Sequence, residues 1–265
     1  MSQSLHRRRL FSLTAAALCP LCAVAKAEET AHPVAQHGTG APAHWGYEGE
    51  AAPGKWGELS ADFKSCSLGT EQTPIDLRSA IKAQAGPVGI AYQKVPLSIL
   101  NNGHTIQVNT PPGNKLEING TSFELVQFHF HHPSEHLLSG KPFDMELHFV
   151  HKAASGALAV VGVFIEPGAP NPGLAPIWAA MPAKESPATQ VTGVTVDPSA
   201  LLPQNRGYFR YMGSLTTPPC SEGLLWTVFR SPVQASPEQI RQFAGLFPLN
   251  ARPVQSINRR FLLES

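Results

Sequence analysis

Short runs in which apolar and polar residues alternate dominate the chain, and they predict strands. Thr105–Asn109, Lys115–Ile118, Ser122–His131, Phe143–Val150, Leu158–Ile165 and Leu224–Phe229 follow the two-residue period of a half-buried strand, with Gly, Pro or Asn between them. Helical signals are few. Ser236-Pro237-Glu238-Gln239 reads as a capping box with proline at the first helical position, which predicts a helix over Glu238–Leu246. A β-dominated α+β fold follows. It is expected as one domain, because no repeat, charge run or long linker divides residues 44–265.

Ahead of that domain the pattern changes. Residues 1–27 carry a basic head, His6-Arg7-Arg8-Arg9, then an apolar run from Leu10 to Val24 and small residues near its end, which together read as an export signal. The run is too short to span a bilayer, so no stable membrane insertion is expected. Ala23-Val24-Ala25 and Ala25-Lys26-Ala27 both fit a cleavage site, and Arg8-Arg9-Leu10-Phe11 resembles a twin-arginine motif, so Sec and twin-arginine routes both stay open. Cys19 and Cys22 would leave with the signal. Residues 28–43 lack hydrophobic period and read as a flexible leader. The expected destination is the periplasm or the exterior.

Composition narrows the function classes. Only 15% of residues are charged, against roughly 25% in an average domain, while 22 Gly and 25 Pro favour turns over long exposed helices. The formal charge of +1 becomes −2 once Arg7, Arg8 and Arg9 are removed, which offers no field for nucleic acid. Two cysteines remain, Cys66 and Cys220. In an exported chain an even count favours a disulfide over two separate buried thiols, and a loop of this length would gain roughly 5 kcal/mol at most.

Six of the eleven histidines fall between His129 and His151. In Gln127-Phe128-His129-Phe130-His131 a strand places Gln127, His129 and His131 on one face and the two phenylalanines on the other. The run Met145-Glu146-Leu147-His148-Phe149-Val150 supplies a third imidazole on a neighbouring antiparallel strand. Three neutral histidines with no fourth protein ligand suit a catalytic zinc, whose remaining position takes water. Gln127 and Glu146 each precede a ligand by two residues and are candidates to orient it. His132 points to the opposite face and precedes Pro133, so it is given no ligand role. His129-x-His131-x-x-x-Glu135 also resembles the first metal motif of cupins, but the Gly-rich turn with P-x-G expected before the last ligand is missing between His136 and His148.

Other segments decide between these. His44-Trp45-Gly46-Tyr47, Gln72-Thr73-Pro74-Ile75-Asp76, Asn101-Asn102-Gly103-His104, Ser134-Glu135-His136, Glu146 through His151 and Gly213 through Cys220 occur in order along the chain. With the histidine motif, they make the sequence resemble the alpha-class carbonic anhydrases, of the bacterial exported type. The resemblance implies a mostly antiparallel ten-stranded sheet with short peripheral helices and a conical active site, one zinc ion per chain, and hydration of CO2 to bicarbonate and a proton. A side esterase activity and a homodimer are compatible with it.

By the same resemblance His129, His131 and His148 bind zinc, and zinc hydroxide attacks CO2. Thr216 accepts a hydrogen bond from that hydroxide and donates to Glu135, with Thr217 beside the bicarbonate. Val150, Leu158, Val160, Leu215 and Trp226 form the apolar CO2 pocket. His104 shuttles the proton, a task suited to a group with pKa near 7. Tyr47, Asn102 and Gln107 line the water chain to it. His136 and His151 fall at positions with structural hydrogen-bonding roles. Cys66 and Cys220 occupy positions paired in bacterial members. A fold member that binds without catalysis would lack a zinc histidine, and none is lacking here.

Overall fold

A computed structural model describes residues 43–265 of the protein. The expected export signal, its cleavage positions and all of the leader but Ala43 lie outside the described residues. Among the described residues no helix is long and apolar enough to cross a membrane.

The first half of the domain holds β1 (Asp76–Leu77), β2 (Ile81–Lys82), β3 (Gly89–Ala91), β4 (Val95–Asn101), β5 (Ile106–Asn109), β6 (Lys115–Ile118), β7 (Thr121–His131) and β8 (Leu137–Leu138). The second half holds β9 (Met145–Ala153), β10 (Leu158–Pro167), β11 (Ser186–Val196), β12 (Tyr208–Ser214), β13 (Glu222–Phe229), β14 (Val233–Ala235) and β15 (Leu263–Glu264). Thirteen of these strands join one sheet. Ten follow the path β11-β4-β5-β7-β9-β10-β13-β12-β15-β2, as expected, while β3, β6 and β14 pair beside it. Within this sheet pairing is antiparallel except at β10–β13, β10–β14 and β15–β2, and β1 and β8 form a separate parallel pair.

Helices are short and peripheral: α1 (Trp56–Leu59), α2 (Ser65–Leu68), α3 (Ala175–Ala179) and α4 (Pro237–Ala244). The predicted capping box opens α4. Ser236 Oγ accepts from Gln239 N at 3.2 Å and Gln239 Oε1 accepts from Ser236 N at 3.0 Å, a cap worth about 1 kcal/mol. The helix stops two residues before the predicted end, where Gly245 N turns back onto Arg241 O.

Nine strands were not foreseen by alternation; β1, β2, β3, β8, β14 and β15 are two or three residues long, too short to show a period, and the three longer ones each have their own physical reason. β12 is buried on both faces at nearly every position, so it has no polar phase. β11 is mostly exposed and joins β4 through two register breaks, so it has no apolar phase. β4 alternates and carries Pro96 at an exposed position, where a residue without an N–H interrupts the usual strand signal. Phe143, expected in a strand, instead stacks its ring on Phe164 from the preceding loop.

One irregularity in β7 matters for the site. The register with β9 slips between Leu125 and Gln127, leaving Val126 bulged and 44% exposed. Without the extra residue Leu125 would share the face of the histidines. The bulge puts Phe123 and Leu125 in the same core as Phe128 and Phe130. That core packs beneath α3 and α4, with the Phe130 ring edge-on to Trp178 at 4.8 Å and to Phe243 at 6.0 Å. The opposite face of the same strands carries the polar residues.

Candidate metal centre

Register across the sheet builds the centre in rows. Gln107 of β5 stands opposite His129 of β7, His129 opposite His148 of β9, and His148 opposite Gly162 of β10. One row along, His131 faces Glu146; in the other direction Gln127 faces Val150, Val150 faces Val160, and Val160 faces Trp226. Period-two alternation turns each row toward the same side. Three imidazoles and an adjoining apolar strip therefore share one surface. One ring nitrogen from each of His129, His131 and His148 lies within 4.8 Å of the other two.

Each imidazole commits its other nitrogen. His129 Nδ1 donates to Gln127 Oε1 at 2.8 Å, and His131 Nδ1 donates to the Asn250 carbonyl at 2.8 Å. His148 Nε2 donates to Glu146 Oε1 at 2.8 Å. These bonds fix the tautomers and leave His129 Nε2, His131 Nε2 and His148 Nδ1 to point at one another. Burial, reinforced by the neighbouring histidines, holds His129 well below the usual imidazole pKa; burial lowers His148 and takes His131 to about 4. All three are neutral, with lone pairs available.

Two buried atoms in the centre have no partner: His131 Nε2 and Glu135 Oε2. Glu135 Oε2 lies 3.5 Å from His131 Nε2 and 3.7 Å from His148 Nδ1, while Glu135 Oε1 accepts from Arg252 N at 2.9 Å. Buried nitrogens and oxygens are seldom left unpaired without a ligand to receive them. Three neutral nitrogens, second nitrogens tied down and an orphaned His131 Nε2 at the middle fit a zinc ion with an open position. Among the described residues a second cluster, His136, Glu146 and His148, also meets the spacing, but its atoms already bond to one another.

Burial alone would raise the Glu146 carboxyl, yet His136 and His148 hold it well below the usual carboxylate range. It is the fixed anion of the site. Its Oε2 accepts from the Glu135 and His136 backbone at 3.0 and 2.8 Å, and its Oε1 accepts from His136 Nδ1 at 2.7 Å. His136 Nε2 in turn accepts from Tyr211 Oη at 2.6 Å. Gly162 makes room for this carboxylate, since a Cβ there would stand 3.1 Å from Glu146 Oε1. Burial pushes the Glu135 carboxyl up to about 7, with His148, the Arg252 amide and the Thr216 side chain pulling the other way.

The remaining expected residues lie on neighbouring loops and strands. Thr216 is buried and Thr217 half-buried in the loop between β12 and β13, where Cys220 N donates to Thr217 O. That loop is tied to α2 by the Cys66–Cys220 disulfide. Val160 and Trp226 belong to one apolar cluster, with Val150, Leu158 and Leu215 packed on it. His104 lies in the β4–β5 turn. Asn102 Oδ1 accepts from His104 N and Thr105 N, and Gly103 between them takes a φ of +84°, which a side chain would resist. The His104 ring lies flat on Trp45 at 3.7 Å with Tyr47 at 6.5 Å, and its pKa is lowered by burial and by His44 against a raising effect of Glu185. Gln107 Nε2 donates to Asn109 Oδ1. His132 stays outside the centre and meets the Pro248 carbonyl, while His151 bonds to Tyr92 and Ala159.

Sequence reasoning missed Asn250 and Arg252. Asn250 receives His131 Nδ1 on its carbonyl, receives His132 N on its side chain, and donates to the His104 and Phe130 carbonyls. Arg252 reaches Gln72, Thr73 and Cys66 while its backbone holds Glu135. Both sit in a segment without period, so nothing local marked them.

A mixed sheet carrying a three-histidine centre beside an apolar strip defines a class of metalloenzyme, and three comparisons say which. The family model described as eukaryotic-type carbonic anhydrase matches residues 51–265. A carbonic anhydrase of Pectobacterium carotovorum is 49% identical over 222 residues, spanning 83% of this chain and 90% of that one. One from Nostoc sp. is 48% identical over 227 residues, spanning 84% and 86%. The structure of the alpha-carbonic anhydrase from Thermovibrio ammonificans, solved with the inhibitor sulfanilamide, superposes with a TM-score of 0.81 at 44% identity, covering 84% of this chain and 100% of that one. The chain belongs to the alpha, or eukaryotic-type, carbonic anhydrase family and is an enzyme of that kind.

Proposed function

We propose that the protein interconverts CO2 and bicarbonate at a zinc ion held by His129 Nε2, His131 Nε2 and His148 Nδ1. The observation that carries this is the set of tied outer nitrogens, which leaves three neutral donors converging on one point beside an apolar strip. Bound there, zinc would supply the Lewis acidity that makes water nucleophilic near neutral pH.

The chain's own residues do the rest. Thr216 gives its hydroxyl proton to Glu135 Oε2, the carboxyl oxygen that otherwise has no partner, while Arg252 N holds Oε1, so the threonine oxygen is left as an acceptor that orients the attacking water. Val150, Leu158, Val160, Leu215 and Trp226 receive CO2, which brings no polar group for a wetter wall to satisfy. Thr217 lies where bicarbonate forms. His104, half-buried at the turn, takes the released proton through water lined by Tyr47, Asn102 and Gln107 and passes it to solvent.

The disulfide and the signal-like N-terminus support action in an exported, oxidising compartment such as the periplasm. The test is metal content and CO2 hydration for wild type and His129→Ala. One zinc per chain with fast hydration, both lost in the variant, is expected; an active metal-free variant would overturn the zinc mechanism. For the shuttle, His104→Ala is expected to slow turnover in weak buffer and to recover with added imidazole, and unchanged turnover would remove that role.

A further inference from the structure

Residues of β12, β13 and β15 and of the 258–261 segment line a cleft of about 850 Å³ that contains no histidine, although Tyr211, which bonds to His136, borders it. Its apolar surface comes from Met212, Leu225, Phe261 and Leu263, and Phe261 is 72% exposed without a partner to cover it. Three arginines, Arg210, Arg259 and Arg260, line the same cleft, and among the described residues none of them is in an ion pair. One carboxylate, Glu71, lines it too, and with Glu222 it acts on Arg260 from the rim.

Arg210 is the unusual member. It is 5% exposed, yet no carboxylate meets it. Its Nη1 donates to Ala85 O at 2.8 Å, its Nε makes a long contact to Thr227 Oγ1 at 3.4 Å, and its guanidinium lies over the Tyr208 ring at 4.5 Å. Nη2 is buried with no hydrogen-bond partner. A buried guanidinium with a free donor is costly unless an anion meets it. Arg260, by contrast, spends its nitrogens on the carbonyls of Ile257, Met212 and Ser256. Arg259 is exposed and without a bond.

We propose that this cleft is a second binding site, for a small organic carboxylate with an apolar body. Arg259 draws the carboxylate in, the body lies along Met212, Leu225 and Phe261, and binding has to uncover the buried Nη2 of Arg210 for the carboxylate to meet it. A bidentate guanidinium fork suits a carboxylate, and the apolar wall excludes a bare inorganic anion as the best fit.

The test is calorimetric titration with 4-phenylbutyrate, and with its uncharged amide, on zinc-loaded enzyme saturated with sulfanilamide so that the metal centre is blocked. One saturable site for the acid is expected, with binding at least ten-fold weaker for the amide, for Arg210→Met and for Phe261→Ala. Phe261→Ala removes an exposed ring, so it stays informative if Arg210→Met fails to fold. No saturable binding, equal binding of the amide, or unchanged affinity in a folded Arg210→Met would overturn the site. So would sedimentation showing a dimer that Phe261→Ala dissociates, because the cleft would then be an interface between copies. CO2 hydration measured on the same samples separates these outcomes from a failure of the metal centre.

Discussion

The two faces of β7 and β9 are made by the same residues in alternation, yet they are held together differently. On one side Phe128, Phe130, Leu147 and Phe149 fill a core that needs only shape and area. On the other, His129, His131, Glu146 and His148 need a named partner for nearly every nitrogen and oxygen. The apolar face is satisfied by neighbours in the sheet and by α3 and α4. The polar face draws on Asn250, Arg252 and Tyr211, which lie far along the chain. Packing energy is spread over many contacts, whereas the metal centre concentrates its demands on a few bonds.

Breaking either face should therefore give different signatures. The largest effect is expected from His148→Ala, which removes a donor: zinc is lost and hydration falls to background, read by metal analysis and stopped-flow assay. On the opposite face, Phe130→Ala leaves one zinc per chain but costs about 3–5 kcal/mol of unfolding free energy, read by urea denaturation. Equal loss of zinc in both variants would erase the contrast. Glu146→Gln keeps the shape and removes the charge that fixes His148 and His136; metal affinity should drop about 10- to 100-fold, read by competition with a chelator, with folding retained.

The smallest effect concerns pH. His151, buried behind the sheet, has its pKa lowered to about 3 by burial, against 6.5 for an ordinary histidine. The unfolded chain takes up this proton first as pH falls, so the stability it contributes is complete above 6.5 and is lost downward toward 3. Its share of the slope is about 1.4 kcal/mol per pH unit in that window. Urea midpoints at pH 7, 6 and 5 should fall more steeply in wild type than in His151→Gln, and parallel slopes would show that another group carries the acid sensitivity.

What the sequence revealed follows the same division. The phase of His129 and His131 against Phe128 and Phe130 was legible because a strand alternates strictly over those residues. The phase upstream was not, because the bulge at Val126 leaves no local mark. The expected apolar strip was placed as a row, Val150, Val160 and Trp226, which register alone produces. Asn250 was illegible because its backbone carbonyl, which any residue offers, receives His131. Asn102 was expected beside a water chain; the bond its oxygen makes is to the turn that presents His104, which the sequence reading did not foresee. Roles resting on one backbone atom or one distant hydrogen bond need coordinates to be seen.

The central claim is that catalysis depends on one metal ion held by the three tied imidazoles. Titrating zinc back into chelator-treated protein while following CO2 hydration tests it most directly. Activity should rise linearly from background and saturate at one zinc per chain. Full hydration in the metal-free protein, or saturation unrelated to zinc occupancy, would contradict it.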